Sequence, residues 1–422
     1  MEKVTLNQKE QNRLQVLNSV NLKQIPIGQA AILMRVSMRH AKRLLAEYRK
    51  EGASAMAHGN RGRLPYNAID VLIRQQVVDL AKTKYRGFNQ QHLSEKLGEK
   101  EGIPLSRSTV RRILLKEGIA SPRKRKAPRH RSRRERYPQA GMLLQTDGSP
   151  HDWLEGRGPK LCVIGAIDDA TSEVVYAHFQ MTETTSGYIR MFRAITHSHG
   201  IPLSVYHDRH SIFQVTDQQM TLEDQLAGKS PQTQLGRILE ELGINSISAN
   251  SPQAKGRVER LWGTFQDRLV SELRLAGACN ADQANQALKV FLPNYNRRFK
   301  VQAKEPGSAY RQPKPDFKPD QVFCYKYSRM VGIDNVVQFE QARIQILPST
   351  QRQSYARCRV EVQARLDGTL AICYEGQILK TQPAPLEASI LRKQISVPVP
   401  IARKDTLKPV PVFHPWRQWV HR

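Results

Sequence analysis

The sequence predicts a multidomain α+β protein, because three kinds of pattern follow one another along its 422 residues. Apolar residues first recur three and four positions apart, as they do on one face of a helix. Short apolar runs then follow one another directly and later alternate with helical patterns, which is typical of a mixed sheet covered by helices on both faces. The last pattern consists of short β-rich runs with frequent turns, as in a small all-β domain.

Residues 1–55 form the first helical module. The periodicity predicts helices at Gln8–Leu17, Ile27–Leu33 and Met38–Lys50. Ser37 is the predicted N-cap of the third helix. A short helix, a turn and a basic helix make up the helix-turn-helix plan, whose second helix enters the major groove of DNA. Arg39, Lys42 and Arg43 are the candidate DNA contacts, and the alternative is a small bundle with a solvated basic face.

Residues 66–120 form a second helical module, after a break at Gly52–Pro65 that is rich in Gly, Ala and Arg. The predicted helices are Ile69–Lys84, Asn89–Lys100 and Ser106–Lys116. The candidate DNA contacts on the third helix are Arg107, Arg111 and Arg112. Two such modules in tandem would bind a longer DNA site than one.

Residues 121–139 are a basic linker with the densest charge run of the chain. Blocks of like charge repel and stay unfolded until a partner neutralises them. Three interpretations compete: a disordered linker, a tract like a nuclear-localisation signal, and an arm that follows DNA. Linker and arm are compatible and are favoured together. The candidate DNA contacts here are Arg123, Lys124, Arg125 and Lys126.

Residues 140–300 carry the mixed pattern. The predicted strands are Leu143–Thr146, Leu161–Ile167, Val174–Phe179, Leu203–Tyr206 and Ser246–Ala249. The predicted helices are Thr184–Ser198, Gln234–Leu242, one that begins after Pro252, and Ala281–Phe291. Three antiparallel strands followed by strands that alternate with helices predict one mixed sheet.

Three carboxylates are placed where such a sheet could gather them. Asp147 and Asp208 each follow an apolar run, and Glu259 lies on the helix after Pro252. Carboxylates a few ångströms apart repel unless divalent cations neutralise them, and hard cations such as Mg²⁺ take oxygen ligands. Lys255 and Arg257 flank Glu259 and are candidate DNA contacts.

Four stretches around these residues resemble the DDE transposase and retroviral integrase superfamily, and most of all the ISNCY group of insertion-sequence transposases. They are LQTDGS at 144–149, IDDATS at 167–172, YHDRH at 206–210 and ANSPQAKGRVER at 249–260. The resemblance implies an RNase H-like catalytic core that cuts and joins DNA, with Asp147, Asp208 and Glu259 holding two Mg²⁺ ions, for which Mn²⁺ can substitute. The 51 positions between Asp208 and Glu259 exceed the spacing typical of retroviral integrases. The polar segment 214–232 accounts for this as an inserted loop.

Other polar residues near these three have simpler explanations. Asp168 and Asp169 are expected to organise the turn after a strand rather than to bind metal. His207 and His210 are expected to be hydrogen-bonding neighbours of Asp208. Trp262 and Phe265 are expected in the core, and Asp152 and Glu155 at the surface or against substrate.

The C-terminal part is predicted to hold a small β-barrel at residues 320–382 and an extended tail at 383–422. The strands are predicted at Val336–Phe339, Ala342–Leu347, Arg357–Ala364 and Leu370–Tyr374, with a hairpin signal at Asp367-Gly368. The tail is expected to dock on another subunit.

Charge favours a nucleic-acid partner. Lys and Arg number 66 and Asp and Glu 38, which gives a net charge of +28. Such an excess favours polyanions, because binding releases the counterions of phosphates. No apolar run reaches the roughly 18 residues of a membrane span, so a membrane partner is not expected. The five cysteines are scattered and are expected to be reduced thiols in the bacterial cytoplasm.

The predicted function is therefore that of a DNA transposase that binds element ends and target as double-stranded DNA, forms a homo-oligomer on it and is associated with the nucleoid. Two alternatives remain. A non-catalytic DNA-binding regulator derived from a transposase would keep the helical modules, and an RNase H-like nuclease acting on RNA would keep the acidic residues.

Overall fold

A computed structural model describes residues 5–58, 60, 65–66, 68–122, 127, 134–208, 210–215, 232–249 and 256–384. The chain divides into two compact units, residues 1–80 and 81–422. None of the helices in these described ranges is long and apolar enough to cross a membrane.

The first unit begins with three helices that close around one small core. They are α1 at Gln8–Asn21, α2 at Ile27–Leu33 and α3 at Met38–Glu51. Ser37 caps α3 as predicted, since its side chain accepts the N–H of His40. A 3₁₀ turn at Gly52–Met56 follows α3 where the sequence predicted a break. Burial of Met56 stabilises this turn, because its side chain is 4% exposed and packs in the same core as Leu17.

Three further helices, α4 at Val71–Lys82, α5 at Gln90–Lys100 and α6 at Arg107–Lys116, match the second predicted trio closely. The boundary between the two units falls within α4. Asn89 and Ser106 cap α5 and α6, because the side chain of each accepts a backbone N–H of the first turn.

The second unit is built on a five-stranded mixed sheet. Its strands are β1 at Leu144–His151, β2 at Leu161–Asp168, β3 at Val174–Gln180, β4 at Ser204–His207 and β5 at Asn245–Ser248. The strand order is β3-β2-β1-β4-β5. The pairs β1–β2 and β2–β3 are antiparallel, whereas β1–β4 and β4–β5 are parallel. The predicted mixed sheet is therefore confirmed.

Helices cover both faces of this sheet. They are α7 at Thr185–Ser198, α8 at Gln234–Glu241, α9 at Gly256–Leu275 and α10 at Ala281–Phe299. One apolar core joins Leu144 and Val205 of the sheet to Phe192 of α7. The other joins Val163 of the sheet to Phe265 of α9. Burial on both faces explains why every residue of β2 is buried.

Helix α10 is longer than predicted. The sequence pattern ended it at Phe291, but the helix continues through Pro293 to Phe299. Proline removes one helical hydrogen bond, and the tertiary packing of Tyr295 against Phe265 and Phe299 offsets that loss. The amide of Asn296 also bonds both the N–H and the C=O of Val174, which covers the edge of β3.

Helix α5 is held against α9 by charged side chains. Glu95 of α5 accepts hydrogen bonds from two nitrogens of Arg268, at 2.7 and 3.2 Å. Glu272, one turn further along α9, accepts from His92 at 2.7 Å and pairs with Lys96 at 2.6 Å. Burial lowers the pKa of His92, and the positive charges of Arg268 and Lys96 lower it further, whereas Glu272 opposes this shift.

A short helix, α11 at Pro319–Val322, leads into the all-β region. Its strands are β6 at Cys324–Met330, β7 at Val336–Phe339, β8 at Ala342–Ile346, β9 at Arg359–Arg365, β10 at Leu370–Tyr374, β11 at Gln377–Ile378 and β12 at Thr381–Pro383. The hairpin predicted at Asp367-Gly368 is confirmed, because β9 and β10 pair around it and Gly368 has φ +85°.

The predicted small β-barrel is not confirmed, because the described strands form two sheets and no closed barrel. The strands form a four-stranded sheet, β11-β10-β9-β6, and a three-stranded sheet, β12-β8-β7. Short strands and turn signals predict the elements but not which edges pair. Here β6 pairs with β9 while β7 pairs with β8, so the two sheets share a core around Val337 and Ile372 rather than one hydrogen-bonded cylinder.

Candidate active site

The register of strands β1 and β4 places Asp147 and Asp208 near each other. Strands β1 and β4 run parallel with Leu144 opposite Val205 and Gln145 opposite Tyr206. Two residues further in the same register, Asp147 comes opposite Asp208, which follows the last residue of β4. Paired positions on adjacent strands project to the same face of a sheet. The parallel register therefore brings together two carboxylates that are far apart in sequence.

Asp147 lies within a strand, not at the strand end that the sequence predicted. Strand β1 continues to His151, because residues 148–151 pair with the first half of β2 as the arm of a hairpin. The prediction ended the strand at Thr146 because the apolar run stops there. Hydrogen bonding between strand backbones does not need apolar side chains, so the strand continues.

Helix α9, which carries Glu259, contacts Asp147 through another of its side chains. Trp262, three residues after Glu259, donates its indole N–H to Asp147 Oδ2 at 3.1 Å. Glu259 is exposed one helical turn before Trp262, and residues three apart lie at neighbouring positions on the surface of a helix. Trp262 was expected to serve only the core. The hydrogen bond adds a contact with the acidic residue that no sequence pattern indicated.

The three predicted ligands offer carboxylate oxygens, which suit a hard divalent cation. In the part of the chain that the structure describes, no three His, Cys, Asp or Glu side chains lie close enough together to hold a metal ion. Asp147 and Asp208 would supply two of the donors, and the side chain of Glu259 is exposed on the first turn of α9. The assignment of all three to a metal site stays a prediction.

Glu183 is a further carboxylate beside the site that the sequence did not reveal. It precedes α7, and a Cβ on Gly148 would come within 2.5 Å of its Oε2. Its Oε1 accepts the hydroxyl of Tyr188 at 2.6 Å. Burial raises the pKa of Tyr188 well above its usual value, and the charges of Glu183, Asp147 and Asp208 add to this. The pKa of the Tyr188 hydroxyl is therefore raised by three carboxylates from different parts of the chain.

Asp168, the last residue of β2, and Asp169, which follows it, have separate roles. Asp168 Oδ1 accepts both the N–H and the hydroxyl of Thr171, which organises the turn as predicted. Burial raises the pKa of Asp168, while these hydrogen bonds oppose that effect. Asp169 is fully buried and pairs with Arg257 of α9 at 2.7 Å. Arg257, a candidate DNA contact, therefore has a side chain that is only 12% exposed.

The histidines beside Asp208 make local contacts, as predicted. His207 is buried, stacks on Phe213 with ring centroids 4.0 Å apart, and bonds Ser246 Oγ at 2.8 Å. The backbone N–H of His210 donates to Asp208 Oδ1 at 3.3 Å. Glu155 pairs with Arg274, so that carboxylate serves the surface of the domain.

The candidate DNA contacts of the two helical modules are exposed. On α3 and α6 they are Arg39, Lys42, Arg43, Arg107, Arg111 and Arg112. The remaining candidates, Arg123, Lys124, Arg125, Lys126 and Lys255, lie outside the described residues, as do most of the 214–232 insertion and the tail from residue 385.

We expect Gly165→Ala to lower the free energy of unfolding by about 1–3 kcal/mol. A Cβ at this position of β2 would lie 2.8 Å from the Trp262 ring and 3.0 Å from the carbonyl oxygen of Tyr176. Neither a packed indole nor a strand carbonyl moves easily. Urea unfolding followed by tryptophan fluorescence measures the loss. Gly256→Ala is the matched control on α9, since nothing lies within 4 Å of its Cβ position, and an equal loss there would contradict the argument.

No family model matches the chain. A Sinorhizobium fredii protein described as transposase y4bF is 33% identical, over 89% of this chain and 81% of that protein. The transposase for insertion sequence IS1202 of Streptococcus pneumoniae is 28% identical, over 93% of this chain and 91% of that protein. These matches define the class as transposases. The chain belongs to the DDE transposase and integrase superfamily.

Similar solved structures come from retroviral integrases. An integrase chain of the simian T-cell lymphotropic virus intasome, solved with PP2A regulatory subunit B56 gamma, has 15% identity and a TM-score of 0.31 over 73% of this chain and 99% of its own. The HTLV-2 integrase catalytic core domain, solved with magnesium, has 19% identity and a TM-score of 0.25 over 36% of this chain and 84% of its own. Membership of the superfamily rests on the sequence relatives.

Proposed function

We propose that this chain is a DNA transposase that binds the ends of a mobile element and catalyses metal-dependent strand cleavage and strand transfer. The observation that supports the proposal is the parallel register of β1 and β4, which when extended by two residues puts Asp147 opposite Asp208, together with the hydrogen bond from Trp262 of α9 to Asp147. The transposase relatives and the net charge of +28 support it. The ISNCY assignment remains part of the proposal.

Asp147, Asp208 and Glu259 would hold two Mg²⁺ ions, or Mn²⁺ in their place. When bound, such a pair of cations activates an oxygen nucleophile and stabilises the leaving oxygen of a phosphodiester. The chain supplies the carboxylates from two adjacent strands and one helix, so their spacing is set by the sheet and by the Trp262 contact. Water would serve as nucleophile in cleavage and the freed 3′-OH in strand transfer, so no covalent protein intermediate is required.

The two helical modules would act as helix-turn-helix domains that recognise the ends of the element. Helices α3 and α6 present exposed arginines and lysines on their polar faces, with their apolar faces buried. Side chains on a helix in the major groove distinguish bases, whereas contacts to phosphates set register. The chain is expected to act as a homo-oligomer on double-stranded DNA, both ends and target.

Incubation of the full chain with candidate terminal DNA and Mg²⁺ tests the proposal. We expect nicks that leave a 3′-OH at the element end, followed by joining of that end to target DNA. Specific binding without any nick would favour the regulator, and cleavage of the RNA strand of a hybrid instead of DNA ends would favour a nuclease.

Replacing Arg123, Lys124, Arg125 and Lys126 with alanine is expected to weaken binding to all DNA sequences alike. Each lysine or arginine that neutralises a phosphate adds about 0.9 to the slope of log affinity against log salt, so the slope should become shallower by up to about 4. Titrations of end DNA and random DNA at several salt concentrations measure this. Loss of discrimination at an unchanged slope would show that these residues contact bases.

A further inference from the structure

The first turn of α9 is tied to the sheet by a buried amide. Gln145 of β1 is 0% exposed, and its Oε1 accepts the backbone N–H of Val258 at 3.2 Å. The first N–H groups of a helix find no partner within the helix, so an acceptor from elsewhere stabilises the helix start. The Nε2 of Gln145 donates to Asp169 at 2.8 Å. One side chain therefore connects the start of α9 with the turn after β2.

Asp169 is a second anchor for the same turn. Its carboxylate is 0% exposed and accepts Arg257 Nε on Oδ1 at 2.7 Å and the N–H of Tyr137 on Oδ2 at 2.9 Å. A buried charge is tolerated only when it is paired and hydrogen-bonded. The pairing therefore keeps the Arg257 guanidinium turned inward, away from the surface where DNA phosphates would bind.

We propose that Gln145, Asp169 and Arg257 position the first turn of α9 and, through it, Glu259, so that Arg257 is a positioning residue and not a DNA contact. The inference rests on the proposed catalytic role of Glu259. Glu259 directly follows Val258, whose N–H is held by Gln145, and lies two residues after Arg257. The backbone of Glu259 thus belongs to the segment that both anchors hold.

In the proposed catalytic role, the carboxylate of Glu259 has to be held in an accurate position. A shift of about 1 Å in a catalytic group can reduce a rate about 100-fold. Loss of a group that orients a metal ligand typically reduces metal affinity or activity about 10- to 100-fold. A residue that only binds DNA would change affinity and leave the rate at saturating DNA intact. The two roles are therefore distinguishable.

The test compares Arg257→Ala with Arg257→Lys in the full chain. Arg297→Ala is the matched control, since it removes one positive charge from the exposed face of α10 in the same domain. Three quantities are measured: the single-turnover cleavage rate at saturating end DNA with Mg²⁺, the dissociation constant for end DNA in Ca²⁺, and amide hydrogen exchange of residues 256–262 without DNA. Thermal unfolding confirms that each variant is folded.

For Arg257→Ala we expect a rate about 10- to 100-fold lower, a dissociation constant within about twofold of wild type and exchange of residues 256–262 about 10-fold faster. Arg257→Lys should recover most of the rate, and Arg297→Ala should match wild type. An unchanged saturated rate with several-fold weaker DNA binding would overturn the proposal, and so would unchanged exchange. If the wild-type chain cleaves no DNA, the proposed function fails, and hydrogen exchange alone decides whether Arg257 and Asp169 hold this turn.

Discussion

Glu259→Gln is expected to reduce DNA cleavage and strand transfer by at least about 1,000-fold. Removing one metal-binding carboxylate would forfeit several kcal/mol of transition-state stabilisation, and each 1.4 kcal/mol is a factor of 10 in rate. Asp147→Asn and Asp208→Asn are expected to have effects of the same order. The amides are nearly isosteric with the acids, so the sheet and the first turn of α9 should keep their positions.

DNA binding should survive these three substitutions, because the proposed contacts lie on other elements. The measurements are single-turnover cleavage of labelled end DNA in Mg²⁺ and the dissociation constant in Ca²⁺. Glu240→Gln, which neutralises an exposed carboxylate on α8, is the matched control and should cleave normally. Near-normal cleavage by Glu259→Gln would remove that residue from the mechanism.

Glu95→Ala is expected to lower the free energy of unfolding by about 3 kcal/mol. Glu95 is 18% exposed and accepts two hydrogen bonds from Arg268, which is 10% exposed. Arg298 pairs with the same carboxylate. Truncation leaves these guanidinium groups close together without their shared counter-charge, so the packing of α5 against α9 should weaken although Glu272 still contacts His92 and Lys96.

Chemical denaturation measures this loss, with Trp153 and Trp262 as reporters inside the domain. The control in the same unit is Asp320→Ala, which breaks the 2.8 Å pair between Arg193 and Asp320, whose side chains are 43% and 54% exposed. Solvent screening limits such a pair to about 0.5 kcal/mol. Equal losses in the two variants would show that burial does not strengthen the Glu95 contacts.

Local patterns were sufficient for most elements of the fold. Ser37 and Ser106 cap helices where a serine precedes an apolar stripe, because capping depends only on residues within one turn. The mixed sheet followed from the order of strands and helices. The differences involve long-range packing. The packing of Tyr295 lets α10 continue past Pro293, and the pairing of β6 with β9 gives two sheets in the described residues, where the sequence predicted a small barrel.

In the candidate site, too, some features were predicted from the sequence and others are seen only in the structure. The sequence alone predicted Asp147, Asp208 and Glu259 as the site, because the motifs around them resemble those of the superfamily, and the charge of +28 favoured DNA as the partner. It did not predict the close approach of Glu183 to Gly148, the hydrogen bond from Trp262 to Asp147 or the ion pair of Arg257 with Asp169. Those contacts join residues between 35 and 115 positions apart, and no periodicity of 2 or 3.6 residues encodes a distance of that kind. Sheet register and helix packing bring such side chains together, so which of them act on the three carboxylates is a property of the folded chain.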